Sequence, residues 1–427
     1  MPDNVYHQLV TVYDFVNGEL EQIGSPIDCA NNFSETLDSY INFDLSSDGK
    51  KLIIRSNGNY FHYELQNDEW YLKHTIEFDL NESDRNHNFS LSGDGNTLCI
   101  INITLSFHEI TTYNYLMEDW QLVNTLTIPG STETKIDISF DGKSLAYSRG
   151  SGSSSHPLYH QLNVFNWLDK EWVKKGNSID LHGSHIYFRG DLLNFEFDKS
   201  SNSLLIGAIG IDSTFIGVST TVKVFEYKEN FWVQKGQEIL GNHDEDGFGF
   251  EVNFSNDGNR FVTNAPFSLF DSVKGNGILK IYDFVDTAWV LKKDSIVGSS
   301  EFELCGYSHD LNGDGTILFS SCPFSDNPSY QEGKIEIYSL DPYTAINKVQ
   351  IPKARLSISP NPTSGLIKIK NVGGDKVRLF NHLGIEVLNA EIENNLEDIE
   401  LDLSHLNNVF YFVHIDNYEV QKVILMK

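Results

Sequence analysis

Residues 43–54 read FDLSSDGKKLII, in which a short alternating strand runs into an Asp-Gly turn and an apolar strand follows. The same phrase returns in four further places, and a degenerate copy at 197–208 has Ser200 where the others have the turn aspartate. The turn residues stand 46, 47, 59, 57 and 57 residues apart, at Asp48, Asp94, Asp141, Ser200, Asp257 and Asp314. A phrase that recurs at such intervals indicates a repeat architecture.

Between these turns lies a second repeated phrase, an aromatic strand followed by a strand that carries a tryptophan. It is clearest in NVFNWLDKEWVKKG around Trp172, KVFEYKENFWVQKG around Trp232 and KIYDFVDTAWVLKK around Trp289, with weaker copies at Trp70 and Trp120. The opening stretch LVTVYDFVNGELEQIG repeats it without the tryptophan, and GKIEIYSL at 333–340 repeats its first half. Each unit therefore carries four short strand signals separated by Gly, Asn and Asp turns.

Four strands per repeat predict an all-β fold, a β-propeller in which each repeat is one blade. One four-stranded sheet cannot bury both of its faces alone, whereas blades stacked around an axis can. The sequence contains six Asp-Gly strands and seven aromatic strands, so a six- or seven-bladed propeller fits. Two arrangements stay open: six blades of which the last is closed by the N-terminal strands, or seven blades with an N-terminal piece missing.

The repeats resemble the FG-GAP and Kelch-like propeller repeats of bacterial surface proteins. The resemblance is best in residues 241–267, where Phe248-Gly249 and Ala265-Pro266 stand at the places of the family's FG and GAP elements. The last two complete units match well, and the first three are shorter. The resemblance implies the fold rather than an activity, because propellers carry many unrelated functions.

The repeated phrase stops near residue 343. We predict three regions: propeller repeats over 1–342, a linker over 343–355 and a small β-sandwich over 356–427. The last region resembles the type A sorting domain of type IX secretion substrates, and it matches the family pattern through Pro360, Asn361, Pro362, Gly365, Gly384, Tyr411 and Lys427. The resemblance implies export through the outer membrane of a Gram-negative bacterium. It also implies the type IX secretion machinery as a partner and a secreted or cell-surface location.

The first residues of the chain lack the basic and apolar regions of a secretory signal peptide. Exported substrates of this kind also carry such a signal, so its absence and the uneven strand count lead us to expect a longer precursor. A short protein that is not exported is the alternative.

The balance of charge restricts the partners. The chain has 31 Lys and Arg against 60 Asp and Glu, which gives a formal net charge of −29. Because binding to phosphate requires a basic surface, this excess argues against nucleic acid as a partner. The chain also has no run of 18 apolar residues, so we predict no membrane-spanning helix.

Asp310, Asn312 and Asp314 fit the start of a D-x-N-x-D-G calcium loop, in which alternate side chains around a glycine turn supply hard oxygen ligands. The alternative is turn chemistry, since Asp-Gly is also a preferred hairpin turn and Asn and Asp side chains bond their own backbone. The bidentate acid that such loops place further on is not evident. Ca²⁺ at these three residues is the one cofactor that the sequence suggests.

Two of the four cysteines face each other in the repeat alignment. At an offset of 57 residues Cys305 falls on Phe248 and Cys322 falls on Ala265, and a hairpin centred on Gly313-Asp314 places the two positions across from one another. A disulfide is one interpretation, which export would permit. Two small buried apolar side chains are the other.

No nucleophile elbow, zinc-protease motif or nucleotide-binding motif occurs. We therefore expect a non-catalytic binding or adhesion module that presents loops to an unknown surface ligand, a protein or a glycan. The alternative is a secreted hydrolase or lyase, which would require acidic and basic side chains from several blades to meet at the central channel. A purely structural module in a larger assembly is the third function class.

Overall fold

A computed structural model describes most of the chain, and what it describes consists of strands, turns and loops. The described residues are 9–29, 41–56, 58–77, 88–103, 107–129, 135–151, 159–181, 186–212, 218–241, 247–270, 273–292, 295–327, 330–331, 333–340, 346–349, 354–355, 357–372, 376–381, 386–391, 397–407, 410–415, 418–419 and 421–426. No helix among these residues has the length and the hydropathy that crossing a bilayer requires.

The repeat region begins with a two-stranded sheet of β1 (Leu9–Val16) and β2 (Glu19–Asp28), which we call the half-blade. Six sheets follow, each with four strands that pair antiparallel in chain order, and we call them blades 1 to 6. Blade 1 is formed by β3 (Asn42–Leu45), β4 (Lys51–Ser56), β5 (Asn59–Gln66) and β6 (Glu69–Ile76). Blade 2 is formed by β7 (Phe89–Leu91), β8 (Thr97–Ile103), β9 (Phe107–Leu116) and β10 (Asp119–Pro129). Blade 3 is formed by β11 (Ile136–Ile138), β12 (Ser144–Ser151), β13 (Tyr159–Leu168) and β14 (Glu171–Lys174), with β15 (Ile179–Asp180) also paired to β13.

Blades 4 to 6 repeat this meander, and the last two insert a short hairpin between their second and third strands. Blade 4 is formed by β16 (Ile186–Phe197), β17 (Ser203–Asp212), β18 (Val218–Lys228) and β19 (Phe231–Gln234), with β20 (Ile239–Leu240) paired to β18. Blade 5 is formed by β21 (Val252–Phe254), β22 (Arg260–Ala265), β25 (Ile278–Val285) and β26 (Ala288–Leu291), with the hairpin β23 (Leu269–Phe270) and β24 (Val273–Lys274) and with β27 (Ile296–Val297) paired to β25. Blade 6 is formed by β28 (His309–Leu311), β29 (Ile317–Cys322), β32 (Lys334–Leu340) and β33 (Ile346–Val349), with the hairpin β30 (Asp326–Asn327) and β31 (Tyr330–Gln331).

Blade 6 corrects two expectations from the sequence. Its fourth strand is Ile346–Val349, which pairs with β32, so the N-terminal strands do not close this blade and form a sheet of their own instead. The arrangement of six blades closed by the N-terminal strands is therefore wrong. The same strand lies within the predicted linker 343–355, and it escaped notice because it is only four residues long and lacks the tryptophan of the other fourth strands.

Successive blades are held together by apolar side chains that alternate along their strands. Between blades 4 and 5, for example, Leu205, Val222 and Val224 pack against Phe261 and Trp289 in one buried cluster. Equivalent clusters lie between each pair of neighbouring blades, and a smaller one joins the half-blade to blade 1. Complete burial of one such side chain contributes about 1.5–3 kcal/mol, so these interfaces dominate the stability of the repeat region.

The Asp-Gly phrase folds as a side-chain-capped turn. In blade 1 the Ser46 hydroxyl donates to Asp48 (2.7 Å) and accepts from the N–H of Lys51 (2.9 Å), while the N–H of Lys50 donates to Asp48 (3.1 Å). Gly49 has φ +70°, a conformation that glycine adopts without strain. Blades 2, 3 and 5 repeat this network, which explains why the phrase recurs.

The repeated tryptophan joins each blade to the one before it. Its Nε1–H donates to a backbone carbonyl of the preceding sheet in three places, from Trp70 to Ile23 (3.0 Å), from Trp232 to Lys175 (2.9 Å) and from Trp289 to Lys235 (2.8 Å). Trp172 reaches the Thr112 hydroxyl instead (2.9 Å). The second phrase of the repeat is thus a contact between blades, and in these four copies the indole N–H has the hydrogen-bond partner that buried indoles usually find.

The C-terminal region is a two-sheet unit with its own core. One sheet contains β35 (Ser357–Ser359), β36 (Leu366–Val372) and β39 (Glu397–Asp402). The other contains β37 (Lys376–Asn381), β38 (Glu386–Glu391), β40 (Phe410–Ile415) and β42 (Gln421–Ile424). A short pair is formed by β34 (Ala354–Arg355) and β41 (Tyr418–Glu419). Ile367, Ile369 and Leu401 of the first sheet pack against Leu379 and Val413 of the second. Two sheets that face each other across one apolar layer form a β-sandwich.

The chain divides into two compact units whose boundary in the sequence lies after Val349. The turn between β1 and β2, Phe15–Leu20, is grouped with the second unit, and the rest of the half-blade belongs with the blades. The functional questions for the two units are separate, and the cavity described next lies within the first.

Candidate functional site

A polar residue occupies the same position in the innermost strand of every blade, four residues before the turn residue of the Asp-Gly phrase. The register of each first pair of strands makes these six positions equivalent: Asp44, Ser90, Asp137, Glu196, Asn253 and Asp310. All of them except Asn253 line a single cavity of about 790 Å³. Six innermost strands that enclose one cavity are the arrangement of a propeller's central channel, so four of its carboxylates meet there.

These carboxylates bind the backbone of the neighbouring blade. Asp44 accepts from the N–H of Leu91 (2.8 Å), and Ser90 accepts in the same way from Ile138 (3.2 Å). Asp137 accepts from Phe197 (3.0 Å) and Glu196 accepts from Phe254 (2.9 Å). Each of these bonds joins the inner strand of one blade to that of the next, so the four side chains tie blades 1 to 5 together around the cavity.

Glu251 and Lys135 lie next to the inner strands, outside the lining of the cavity, and make two further contacts between blades. Glu251 precedes β21 and accepts from the N–H of His309 in blade 6 (3.0 Å). Lys135 precedes β11, and its ammonium group donates to the Asn194 side chain of blade 4 (2.6 Å). Both therefore connect a blade to its successor, as the ring residues do.

Burial raises the pKa values of the ring carboxylates. It raises the pKa of Asp44 to about 7, and the charges of Asp137 and Asp310 add to this while the N–H of Leu91 opposes it. It raises the pKa of Asp137 to about 6 against the Phe197 N–H and the Lys135 charge, which both lower it. In both residues burial is the largest cause of the raised pKa, because it disfavours the charged form of a carboxyl group.

Burial also raises the pKa values of Glu196, Glu251 and Asp310. Burial raises the pKa of Glu196 well above its usual range, assisted by the charges of Asp310 and Asp137. It raises the pKa of Glu251 to about 7, against the His309 N–H and Lys135. Enclosure by the surrounding protein also raises the pKa of Asp310, although its side chain is exposed to the cavity.

Lys135 is the basic member of this group. Burial lowers the pKa of its ammonium group, and the carboxylates of Glu251, Asp137 and Glu196 oppose that change. Carboxyl groups whose pKa values are raised to about 6–7, beside a half-buried lysine, are in the range that general acid–base chemistry uses. The hydrogen bonds of Asp44, Asp137 and Glu196 to the next blade equally fit a ring whose role is only structural.

The sequence did not identify this ring as a site, although it contains the signal. The polar position lies two residues before the Ser, Asn or Asp that begins each Asp-Gly phrase, and it is acidic in four of the six repeats. Each phrase read alone places that residue in a turn motif. Aligning the six phrases places the side chains on one strand position, and closure of the propeller brings them together.

Asp310, Asn312 and Asp314 lie in different surroundings. Asp310 belongs to the ring, whereas Asn312 accepts from the N–H groups of Thr316 (2.8 Å) and Ile317 (2.7 Å). Asp314 accepts from the N–H of Thr316 (3.1 Å), and its pKa is lowered by the Thr316 hydroxyl first of all. Asn312 and Asp314 thus occupy the places of Ser46 and Asp48 in the turn, and Ca²⁺ at the three residues stays a prediction.

Cys305 and Cys322 are joined by a disulfide across a loop of 17 residues in blade 6. Together with Glu303 they also form the one cluster of three His, Cys, Asp or Glu side chains, among the described residues, whose ligand atoms lie close enough to share a metal. Because both sulfurs are engaged in the disulfide, this cluster has the wrong chemistry for a metal centre.

Five of the seven residues of the predicted sorting motif lie in the described part of the C-terminal unit. The Asn361 amide donates to the Lys422 carbonyl (2.7 Å) and accepts from the Ile424 N–H (2.9 Å), which fixes the Pro360-Asn361-Pro362 turn against β42. The carbonyl of Gly365 accepts from the Leu403 N–H (2.7 Å). Tyr411 is buried and donates to the Asn407 carbonyl (3.1 Å). Gly384 and Lys427 lie outside the described residues.

Comparison with known proteins assigns this unit. The family described as "Secretion system C-terminal sorting domain" matches residues 357–426. Residues 357–426 are a sorting domain. Its presence marks the chain as a protein exported by type IX secretion, to the cell surface or the medium. The match ends where the unit ends and leaves the propeller unassigned.

No curated protein matches this sequence. The chain is similar in structure to a putative 6-phosphogluconolactonase from Bacteroides fragilis (13% identity, 87% of this chain and 98% of that chain, TM-score 0.46). It is also similar to the periplasmic gluconolactonase of Pseudomonas aeruginosa (10%, 85% and 99%, TM-score 0.44) and to an oligogalacturonate lyase from Vibrio parahaemolyticus (8%, 79% and 88%, TM-score 0.46). Likenesses this distant carry no argument about the activity of the propeller outside the sorting domain.

Proposed function

We propose that the propeller is a non-catalytic binding module, which the sorting domain delivers to the cell surface or the medium of a Gram-negative bacterium. The observation that supports this most directly is the use of the ring carboxylates. Asp44, Asp137 and Glu196 each accept a backbone N–H of the neighbouring blade. Groups that hold adjacent inner strands together are poorly placed to move during a reaction, since displacing them would break the contacts between blades.

The unknown ligand is a protein or a glycan of the extracellular surroundings. The net charge of −29 gives no basic surface for a nucleic acid, and it keeps an exported protein soluble by mutual repulsion. Propellers present loops at both ends of the channel, where they can vary without disturbing the blades.

Export is tested with the full chain and with a variant that lacks residues 357–426, both placed behind the same Sec signal peptide in a bacterium that has type IX secretion. We expect the full chain in the medium or on the cell surface and the truncated chain in the periplasm, measured by immunoblot of each fraction. Asn361→Ala should also reduce export, because it removes both hydrogen bonds to β42, and Asn389→Ala in the same domain is the control. Export of the truncated chain would contradict this part of the proposal.

Binding is tested with the purified full chain on arrays of glycans and of surface proteins, beside assays of turnover on pectin, alginate, chitin and mannan. We expect retention on one ligand class without release of reducing ends or of unsaturated sugars. A variant that combines Asp137→Asn and Glu196→Gln should bind equally well, since both substitutions keep an oxygen that can accept the N–H. Product formation that this variant loses would overturn the binding module in favour of an enzyme.

A secreted hydrolase or lyase is the second candidate function. Several blades contribute carboxylates with raised pKa to the channel, and the half-buried Lys135 lies among them. An enzyme would require acidic and basic side chains from several blades to meet at the channel, and active sites often perturb pKa values in this way. Structural networks of carboxylates do the same, so the turnover assay decides between the two functions.

A further inference from the structure

At four of the five interfaces between complete blades, a basic side chain of one blade binds the Asp-Gly turn of the next. The ammonium group of Lys51 donates to the carbonyl of Gly95 (3.0 Å). Three further bonds of this kind, at 2.6 to 2.7 Å, run from Lys175 to Ser201, from Lys235 to Gly258 and from Arg260 to Gly315. Each acceptor is the residue directly after the turn residue of its phrase, so the contact is a regular part of the repeat.

In three of these places the cation also lies over an aromatic ring of the next blade. The distance from Nζ to the ring centroid is 4.5 Å from Lys51 to Tyr115, 4.9 Å from Lys175 to Tyr227 and 4.6 Å from Lys235 to Phe284. The three rings occupy equivalent positions, because each is paired in the sheet with the tryptophan of its own blade. A turn carbonyl and a ring face thus form a binding site for a cation.

The interface between blades 2 and 3 has this site without a basic side chain to fill it. Elsewhere the cation comes from the third residue after the turn residue or from the third residue after the tryptophan, and in blade 2 these residues are Thr97 and Val123. A Cβ atom at Gly142 would meet the Thr97 hydroxyl, just as one at Gly95 would meet the Lys51 side chain, so Thr97 replaces the lysine in space as well. The Gly142 carbonyl accepts no hydrogen bond from the described residues.

A cavity of about 270 Å³ lies at this place, and we call it the blade 2–3 pocket. Trp167 is paired with Trp172 and therefore stands where the other blades have the ring under the cation. Trp167, Gly142 and Thr97 all line the pocket, and Asp141 adds a carboxylate to its lining. The pocket shares no lining residue with the channel, so it is a separate site.

We propose that the blade 2–3 pocket binds a primary ammonium group on an aliphatic stem, as carried by a lysine side chain or by a free alkyl diamine. The ammonium group donates to the Gly142 carbonyl and lies over the ring of Trp167, as the protein's own lysines do at the neighbouring interfaces. Tryptophan is the aromatic side chain that attracts a cation most strongly, and the carboxylate of Asp141 adds a favourable charge. The proposal goes beyond the function of the channel and does not depend on it.

Lys143 is the one charge in the lining that opposes such a ligand. Its side chain is exposed, and its equivalents Asn96 and Asn259 accept a hydrogen bond from the lysine that fills the site, at 2.8 Å from Lys51 and 3.1 Å from Lys235. Asparagine at this position would therefore remove a repulsive charge and supply an acceptor. A neutral ligand would gain nothing from the loss of the charge, so Lys143→Asn distinguishes the two kinds of ligand.

The test follows the tryptophan indole N–H signals of the full chain by NMR while cadaverine or Nα-acetyl-lysine amide is added. We expect a saturable shift of the Trp167 signal, which is assigned by its loss in Trp167→Phe. Pentanol and Nα,Nε-diacetyl-lysine amide are the control ligands, and they should bind weaker by about tenfold or more because they carry no charge. Saturation by either amine supports the proposal, and the tighter of the two identifies a polypeptide lysine or a free diamine as the source.

Variants of the pocket decide whether the shift reports this site. Thr97→Lys supplies the missing cation and should weaken binding by about tenfold or more, whereas Thr127→Lys, exposed and outside the pocket, adds the same charge and should bind as the wild type does. Lys143→Asn should strengthen binding by about threefold.

The other indole signals show whether each variant is folded. No saturable shift of the wild-type chain up to about 100 mM amine would overturn the proposal, since one desolvated cation–π contact already gives a dissociation constant below that. Equal shifts by the neutral ligands, or unchanged binding by Thr97→Lys, would overturn it too. Should Thr97→Lys fail to fold, weaker or unchanged binding by Lys143→Asn overturns it alone.

Discussion

Blade 1 has two faces, and they are covered by unequal neighbours. On the face toward blade 2 it meets four strands, which bury Ile53 and Tyr60 almost completely. On the face toward the half-blade the described residues contribute two strands, which bury Leu52 and Ile54, whereas Phe43 near the channel is exposed. The difference shows that the outer strands suffice to cover the middle of a blade, whereas only the inner strands cover the end that lines the channel.

The sharpest test of this comparison is a substitution by alanine at two equivalent positions, of which Leu279 is 1% exposed and Ile335 is 58% exposed. Leu279→Ala in blade 5 should destabilise the protein by about 2–5 kcal/mol, because it leaves a cavity in a closed interface. Ile335→Ala in blade 6 should change the free energy of unfolding by less than about 0.5 kcal/mol, as exposed substitutions usually do. Urea denaturation of both variants measures the difference. Equal losses would mean that the Ile335 side chain is covered in solution.

The disulfide gives the second largest effect. Blade 5 has Phe248 and Ala265 where blade 6 has Cys305 and Cys322. Replacing both cysteines by alanine should destabilise the protein by about 3 kcal/mol, the value expected for a loop of this length. Reductant should lower the unfolding temperature of the wild-type chain to about that of the double variant. It should leave the unfolding temperature of the double variant unchanged. A wild-type chain insensitive to reductant would contradict a stabilising role for the bond.

The sequence predicts the complete blades well because their signals are local. The Ser-x-Asp-Gly turn and the tryptophan each specify contacts within a few residues or at a constant offset, so repetition makes them visible. The strand Ile346–Val349 was assigned to a linker because four residues without the tryptophan carry too little pattern. The half-blade was recognised as an incomplete phrase, but its place beside blade 1 depends on packing that a strand count does not contain.

The channel ring shows a different limit. Asp44, Asp137 and Glu196 are 47 to 60 residues from the N–H groups that they accept, and no local pattern in one repeat indicates such a bond. The disulfide was left open between two interpretations for a related reason, since alignment gives proximity but not the distance between two sulfurs. Side chains that act across blades are found from the sequence only when all repeats are aligned.

The raised pKa values of the ring predict a pH effect. Between about pH 4 and 7 the folded protein holds a proton on Asp44 that the unfolded chain has released, so this residue's contribution to stability falls as the pH rises through that window. Asp44→Asn should remove this contribution while keeping an acceptor for the Leu91 N–H. The variant should therefore gain about 2 kcal/mol of stability over the wild type at pH 8 relative to pH 4.5, a value that allows for partial exposure of the group.

The comparison with wild type is needed because other groups titrate in the same range. Asp137 and Glu251 have pKa values raised to about 6 and 7 and act in the same direction, whereas His62 and His309 have pKa values lowered to about 4 and act in the opposite one. Asp286→Asn, in an exposed turn, is the control and should follow the wild type at every pH. A variant whose advantage does not change with pH would show that Asp44 is ionised throughout.

The smallest predicted effect separates the packing of the tryptophans from their hydrogen bonds. Trp232 donates to Lys175, whereas the Nε1 of Trp120, also buried between two blades, has no hydrogen-bond partner among the described residues. Trp232→Phe should cost about 1 kcal/mol more than Trp120→Phe, because it alone leaves a buried carbonyl without its donor. Both variants lose a similar ring area, so the difference in their free energies of unfolding isolates the bond. Equal costs would mean that the tryptophans join the blades through apolar contact, and the indole N–H would then be incidental to the repeat.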